Sequence, residues 1–482
     1  MSRIFYRPDD GWTGDFIPFF WEGEFHLFYL KGYHEKVHQD EPLPWYHIGT
    51  KDFVNFTDYG EALGPGGDDD PDRSLLTGSI YHHDGTFHMF FGGRNRLLQE
   101  QGGRGQVILH ATSKDLMEWK KDPDTLVEAD TSRYEKIDWR DAFVYNDPIL
   151  GGYQMLVTAR QKEGPAAQRG CIARLGSSDL QNWRTQDTFW APGSDYSLEC
   201  PDLFKMGDRW YLMYSVFTEE RLTRYRTGPS LEGPWELPGD EGASGDDTLD
   251  GRYWYAAKTA SDGEKRYAFG WLASRKGEVD AGEWEWAGNL VIHELVQRPD
   301  GGLGVKPPDT LLEEFRKIYR FSSSPLTGEW TGMGRNQRVD VPLGSGWCNL
   351  GYGPEVYRFS MILKWTSPPR TCGVAIRLDD ETGAHYQIRL EPLENRLVIA
   401  SRPRPHESTR VERKVDLSGG EARLTVFVED SVVVVYVNDE IALSNRLYDH
   451  KGRGLALFAD HGSVSFTHVE IAERRDRKHD GK

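Results

Sequence analysis

Three carboxylates stand at matching places along the chain. Asp15 in GDFIPFF lies 10 residues ahead of an aromatic strand core at Phe25, Asp141 in WRDAFVY 12 ahead of Tyr153, and Glu199 in LECPDLF 12 ahead of Tyr211. Carboxylates brought together repel one another and lose hydration, so a purely structural role for such a group is costly. They are useful where a positively charged transition state must form. Glycoside cleavage is such a reaction, with an oxocarbenium-like state between a carboxylate and a carboxylic acid. In that chemistry the group that stays ionised is the nucleophile, and the group with the raised pKa is the general acid and base.

The elements that would position these groups repeat. Strand cores recur as FHLFYL from Phe25, FHMFFGG from Phe87, YQMLVTA from Tyr153, YLMYS from Tyr211 and YAFGW from Tyr267, at intervals of 62, 66, 58 and 56 residues. A second element keeps the same phase: TKDFVNF, SKDLMEW and SSDLQNW place Asp52, Asp115 and Asp179 at intervals of 63 and 64 residues. Five tandem all-β units of this size predict a five-bladed β-propeller. The competing reading, a pair of β-sandwiches, requires two independent elements to hold phase by coincidence. In a propeller the innermost strand of each blade precedes the more apolar one and lines the axis. Asp15, Asp141 and Glu199 then face that axis from blades one, three and four, beside Thr77-Gly78-Ser79 of blade two and Tyr255-Ala256-Ala257 of blade five.

The 482 residues, with 52 Gly and 25 Pro, read as short strands between turns and as two domains. The expected division is a propeller over 1–305, a linker over 306–325, a β-sandwich over 326–475 and a frayed charged tail over 476–482. Alternation in RLTVFVEDSVVVVYVNDE supports the sandwich. A formal net charge of −18 argues against nucleic acid and anionic membrane surfaces as partners, and is neutral toward a small oligosaccharide. The start, MSRIFYRPDDGW, has no apolar core of signal-peptide length, and no run approaches the roughly 20 apolar residues of a membrane helix. A cytoplasmic protein is the expectation, and assembly into a homo-oligomer is compatible with it. Cys171, Cys200, Cys348 and Cys372 form no CxxC pair, Asp68-Asp69-Asp70 with Asp72 fits no EF-hand, and GGRGQ lacks the Lys-Ser/Thr of a phosphate loop. No metal and no cofactor are expected.

Taken together, these motifs resemble glycoside hydrolase family 32, the β-fructofuranosidase family, over nearly the whole chain. Gly11-Trp12-Thr13-Gly14-Asp15 is similar to the family's Trp-Met-Asn-Asp-Pro-Asn-Gly motif, which puts Asp15 on the nucleophile. Trp139-Arg140-Asp141 resembles Arg-Asp-Pro, whose Asp stabilises the transition state, and Glu199-Cys200-Pro201 resembles the Glu-Cys motif of the acid/base. Leu76-Thr77-Gly78-Ser79 is similar to a Phe-Ser-Gly-Ser segment, Trp45 lies where the family has a Trp-Gly-His segment near the sugar, and Trp286-Ala287-Gly288 resembles a Trp-Ala-Gly stretch. The resemblance implies a propeller plus a sandwich and a retaining double displacement on terminal β-fructofuranosyl units. It implies Asp15, Asp141 and Glu199 as catalytic residues, with Trp12, Phe16, Trp45, Thr77, Ser79, Arg140, Cys200 and Tyr255 about the sugar.

The chain departs from the pattern at Gly14, where the family has Asn, at Phe16-Ile17, where it has Pro-Asn, and at Ala142, where it has Pro. A site that loses amides and gains a bulky apolar residue rejects ligands that need those hydrogen bonds. The expectation is therefore a rebuilt sugar subsite, accepting an unusual fructoside or another furanoside. A transferase using the same residues and a non-catalytic sugar-binding protein are the alternative readings.

Overall fold

The computed structural model describes residues 3–32, 42–218, 220–239, 246–403 and 410–475; the tail expected at 476–482 lies outside the described residues. The chain is an all-β protein, a five-bladed propeller followed by a β-sandwich. The inner strands of the blades are Trp12–Trp21, Ser74–His83, Arg140–Asn146, Leu198–Met206 and Trp254–Ser261. Each pairs antiparallel with a strand built on one of the five repeated aromatic cores. The inner strands neighbour one another in a closed ring, the last against the first. Blades five and one also share a sheet through the Thr13–Gly288 pair.

The second repeated element is a turn that its own side chains build. Thr50, Ser113 and Ser177 accept the backbone N–H three residues on, and Asp52, Asp115 and Asp179 accept the next two N–H groups in the turn. The residue between, Phe53, Leu116 or Leu180, takes a positive φ of 59°, 66° or 63°. These short polar side chains offer the backbone local partners, which is why the motif ends a strand.

A third regularity positions the site. Every inner strand breaks register with its partner near its start: between Gly14 and Phe16, between Leu75 and Gly78, around Asp141 and Ala142, between Glu199 and Asp202, and between Tyr255 and Lys258. Asp15, Asp141, Cys200 and Ala256 have φ of 25°, 60°, 54° and 51° at these bulges. A bulge inserts an unpaired residue and re-aims its side chain. Left-handed backbone at non-glycine residues costs energy and gathers at functional sites.

After a short helix, Asp309–Glu314, the sandwich begins. Its strand Gly454–Glu473 pairs along its first half with Thr371–Leu378 and along its second with Tyr357–Lys364, so one strand joins both halves of the sandwich. The sandwich is anchored on the propeller by buried polar contacts. Arg446 donates to Ala273 O at 2.9 Å and to Leu272 O at 2.6 Å, and Glu429 accepts the N–H groups of Ile4 and Phe5 at 3.1 and 3.0 Å. No helix among the described residues is long and apolar enough to cross a membrane.

Candidate active site

The bulges of blades one, three and four deliver Asp15, Asp141 and Glu199 to one cavity of 590 Å³ at the propeller axis. Arg140, Cys200, Tyr255 and Trp271 share its wall, and Ile137, Tyr196, Phe217 and Arg221 reach its mouth. Each carboxyl is held differently. Asp15 Oδ1 accepts the indole N–H of Trp271 at 2.9 Å. Asp141 Oδ2 accepts the Thr158 hydroxyl and the Cys200 backbone N–H, both at 3.0 Å, which ties blade three to the bulge of blade four. Glu199 Oε1 accepts Arg140 Nη2 at 2.6 Å, and its Oε2 accepts the Tyr255 hydroxyl. Arg140 is itself aimed by Asp138 at 2.6 Å and Gln106 at 3.2 Å.

The electrostatics follow from burial and crowding. Burial, and then the Asp141 and Glu199 charges, push Asp15 up to about 7 against the Trp271 indole bond and a backbone hydrogen bond that lower it. Burial also raises Asp141, with Arg140 opposing. Burial works against the Arg140 charge, but Glu199, Asp141 and Asp138 outweigh it and hold the guanidinium well above its usual value. Tyr255 is raised by burial and by Glu199, so its phenol keeps its proton. Asp15, expected to be the ionised member, is thus shifted upward, by burial first and then by its carboxylate neighbours.

The other expected sugar contacts divide. Arg140, Cys200 and Tyr255 line the cavity, whereas Trp12, Phe16, Trp45, Thr77 and Ser79 lie outside its wall. Phe16 follows the Asp15 bulge and turns into the core beside Tyr29, 5.8 Å between ring centroids. Trp12 lies between the guanidinium groups of Arg7 and Arg446, 4.3 and 5.5 Å from its ring. Trp45 is fully buried between blades one and two. Blade two presents Leu76 instead of Thr77, while Ser79 accepts the backbone N–H of Val144 at 3.0 Å. Gly14 has a packing reason: a Cβ there would lie 2.4 Å from the Trp286 ring, which lines the cavity. Trp271 as a donor to Asp15, and Asp138 and Gln106 behind Arg140, were not singled out as a bonded set from the sequence.

A propeller whose axis gathers acids in this way, in a chain of this pattern, is a glycoside hydrolase of the β-fructofuranosidase class. The chain belongs to glycosyl hydrolases family 32, whose N-terminal domain model matches residues 6–302 and whose C-terminal model matches 359–473. It is 25% identical to sucrose-6-phosphate hydrolase of Escherichia coli, covering 96% of this chain and 92% of that protein. It is 26% identical to raffinose invertase of the same organism, covering 95% and 92%. Fructan 1-exohydrolase IIa from Cichorium intybus has the same fold, with a TM-score of 0.74 at 17% identity and 99% of each chain covered.

Proposed function

We propose that the protein releases terminal non-reducing β-fructofuranosyl units from small oligosaccharides by a retaining double displacement. Asp15 attacks the anomeric carbon. Glu199 protonates the leaving oxygen and then takes a proton from the incoming water, with the Tyr255 hydroxyl donating to the carboxylate and accepting from the acid. Asp141 and Arg140 bind ring hydroxyls beside the developing positive charge. The relatives named for sucrose-6-phosphate and raffinose support a sucrose-type substrate. The burial of Phe16 supports a fructoside over another furanoside, because no bulky apolar side chain from that position enters the subsite. Four buried, unpaired cysteines support work inside the cell.

The observation that carries this reading is the convergence of Asp15, Asp141 and Glu199, from equivalent bulges of three blades, on one cavity. The test is hydrolysis of sucrose, sucrose-6-phosphate, raffinose and short fructans by wild type, Asp15→Asn and Glu199→Gln. Fructose release that either substitution abolishes is expected. In added methanol, retention gives the β-methyl fructofuranoside by NMR; the α-anomer would overturn the double displacement. Sugar binding without turnover by all three proteins would mark a non-catalytic module.

A further inference from the structure

We propose that Arg160 is a positioning residue of this site, a buried guanidinium with two arms. One holds Asp138, and through it Arg140 and Glu199; the other fixes the Tyr196 ring at the cavity mouth as a platform for the leaving-group sugar. The inference deepens the proposed function and rests on the acid/base role given there to Glu199. Arg160 ends the second strand of blade three, Tyr153–Arg160, two residues after Thr158 and so on the same face. Both reach across to blade four at the same spacing: Thr158 donates to Leu198 O at 3.0 Å and Arg160 Nη1 to Tyr196 O at 2.5 Å. Thr158 also holds Asp141, while Arg160 Nε stands 3.5 Å from Oδ2 of Asp138, the carboxylate whose Oδ1 aims Arg140.

Glu199, Arg140, Asp138, Arg160, Glu135 and Arg169 form a line of alternating charge from the cavity outward, with successive contacts of 2.6, 2.6, 3.5, 3.0 and 2.9 Å. The Arg160 side chain is 3% exposed, against 27% for Arg169 at the outer end. Buried ion pairs gain little beyond their own desolvation, so stability alone is a weak reason for such a line. What it supplies is direction, because each inner guanidinium is held between two acids and each inner acid between two guanidinium groups. Arg160 Nη2 also donates to Ala166 O at 2.9 Å, and the central guanidinium carbon lies 3.6 Å from the centre of the Tyr196 ring. A lysine would keep one charge but neither the fork of donors nor the flat face that stacks. Tyr196 is 43% exposed and borders the cavity, so one face of its ring rests on the guanidinium and the rest is left to the entrance. The leaving sugar lies on the side of the acid, and Tyr196 stands three residues before Glu199 on the same blade. An aromatic plane held there takes the apolar face of that sugar.

Kinetics on sucrose and raffinose separate the two arms. Asp138→Asn keeps the shape and removes the charge between the guanidinium groups; kcat is expected to fall about 10–100-fold, with KM within about threefold. Tyr196→Ala is expected to raise KM for raffinose about tenfold, with a smaller effect on kcat. Arg160→Gln should do both, and adding Asp138→Asn to it should cost less than about threefold more in kcat, because the two act through one contact. A full further loss on adding Asp138→Asn, or a KM unmoved by Arg160→Gln, would overturn the proposal. If Arg160→Gln does not fold, Arg160→Lys decides: raised KM with lowered kcat supports the fork, and wild-type constants overturn it. Wild type that cleaves no fructoside would defeat the proposed function instead. Calorimetric titration with raffinose then still reads the platform, which is supported if Tyr196→Ala and Arg160→Lys both weaken binding and overturned by any other result.

Discussion

The indole N–H of Trp271 donates to Asp15 Oδ1 at 2.9 Å, from the second strand of blade five to the inner strand of blade one. It fixes one carboxyl oxygen and leaves the other for the cavity. Because Asp15 is pushed up to about 7, its ionised fraction grows as pH rises through that value. If Asp15 is the nucleophile, kcat/KM rises about tenfold per pH unit below that limb. Trp271→Phe deletes a bond that favours the charged form, so the limb moves further up by about one unit. A limb near pH 4 in wild type would contradict the arrangement.

The same shift has a cost in stability. The folded state keeps a proton on Asp15 between about pH 4 and 7, where the unfolded chain has released it. The unfolded state binds fewer protons in that window, so this group's contribution to stability falls as pH rises through it. Asp15→Asn should therefore stabilise the protein at pH 8 by about 1–3 kcal/mol and change it little at pH 4, while kcat falls at least about 10⁴-fold. Thermal melts at the two pH values check the first part. An equal gain at both would show that charge is not the cause.

Tyr255 should separate orientation from binding. Its hydroxyl donates to Glu199 Oε2 from the inner strand of blade five, opposite the Arg140 bond to Oε1. Tyr255→Phe leaves the ring against Trp271, 5.6 Å between centroids, and removes the donor alone. A fall of about 10–100-fold in kcat is expected, with KM within threefold and the melting temperature within a few degrees. An unchanged kcat would mean that the Arg140 bond suffices to hold the carboxyl.

The strands and turns were legible because they depend on local residue types repeated at a fixed interval. Asp52, Asp115 and Asp179 cap equivalent turns, and the aromatic cores form the second strands. The three carboxylates were legible through their phase ahead of those cores. The facing of their neighbours was not, because one inserted residue reverses which side of a strand the next side chain takes. Phe16, read as a subsite wall, is core for that reason, and Leu76 takes the place expected of Thr77. The bond from Trp271 was hidden differently: an aromatic is ordinary on that strand, and its partner Asp15 comes within reach only where blades five and one meet.

A duplicated pair of histidines makes a prediction far from the chemistry. His26 and His47 in blade one lie 3.0 Å apart, as do His88 and His110 in blade two, at offsets of 62 and 63 residues along the chain. His47 stacks on Phe28 at 4.1 Å and His110 on Phe90 at 4.6 Å. Such a bond needs one ring nitrogen to accept, so at least one imidazole of each pair must be neutral. Burial, then His26, pulls His47 down to about 3, and burial, then His110, pulls His88 down to about 4. The unfolded chain takes up these protons near pH 6.5 and the folded chain does not. Between about pH 6.5 and 4 the unfolded state thus binds more protons, so stability contributed by the pairs is present at neutral pH and lost on acidification. For the buried His47 the loss is roughly 3 kcal/mol. His47→Gln should flatten the dependence of the melting temperature on pH across this window, at some cost in stability at pH 7. A variant whose melting temperature falls with acid as steeply as wild type would show that these rings do not govern it.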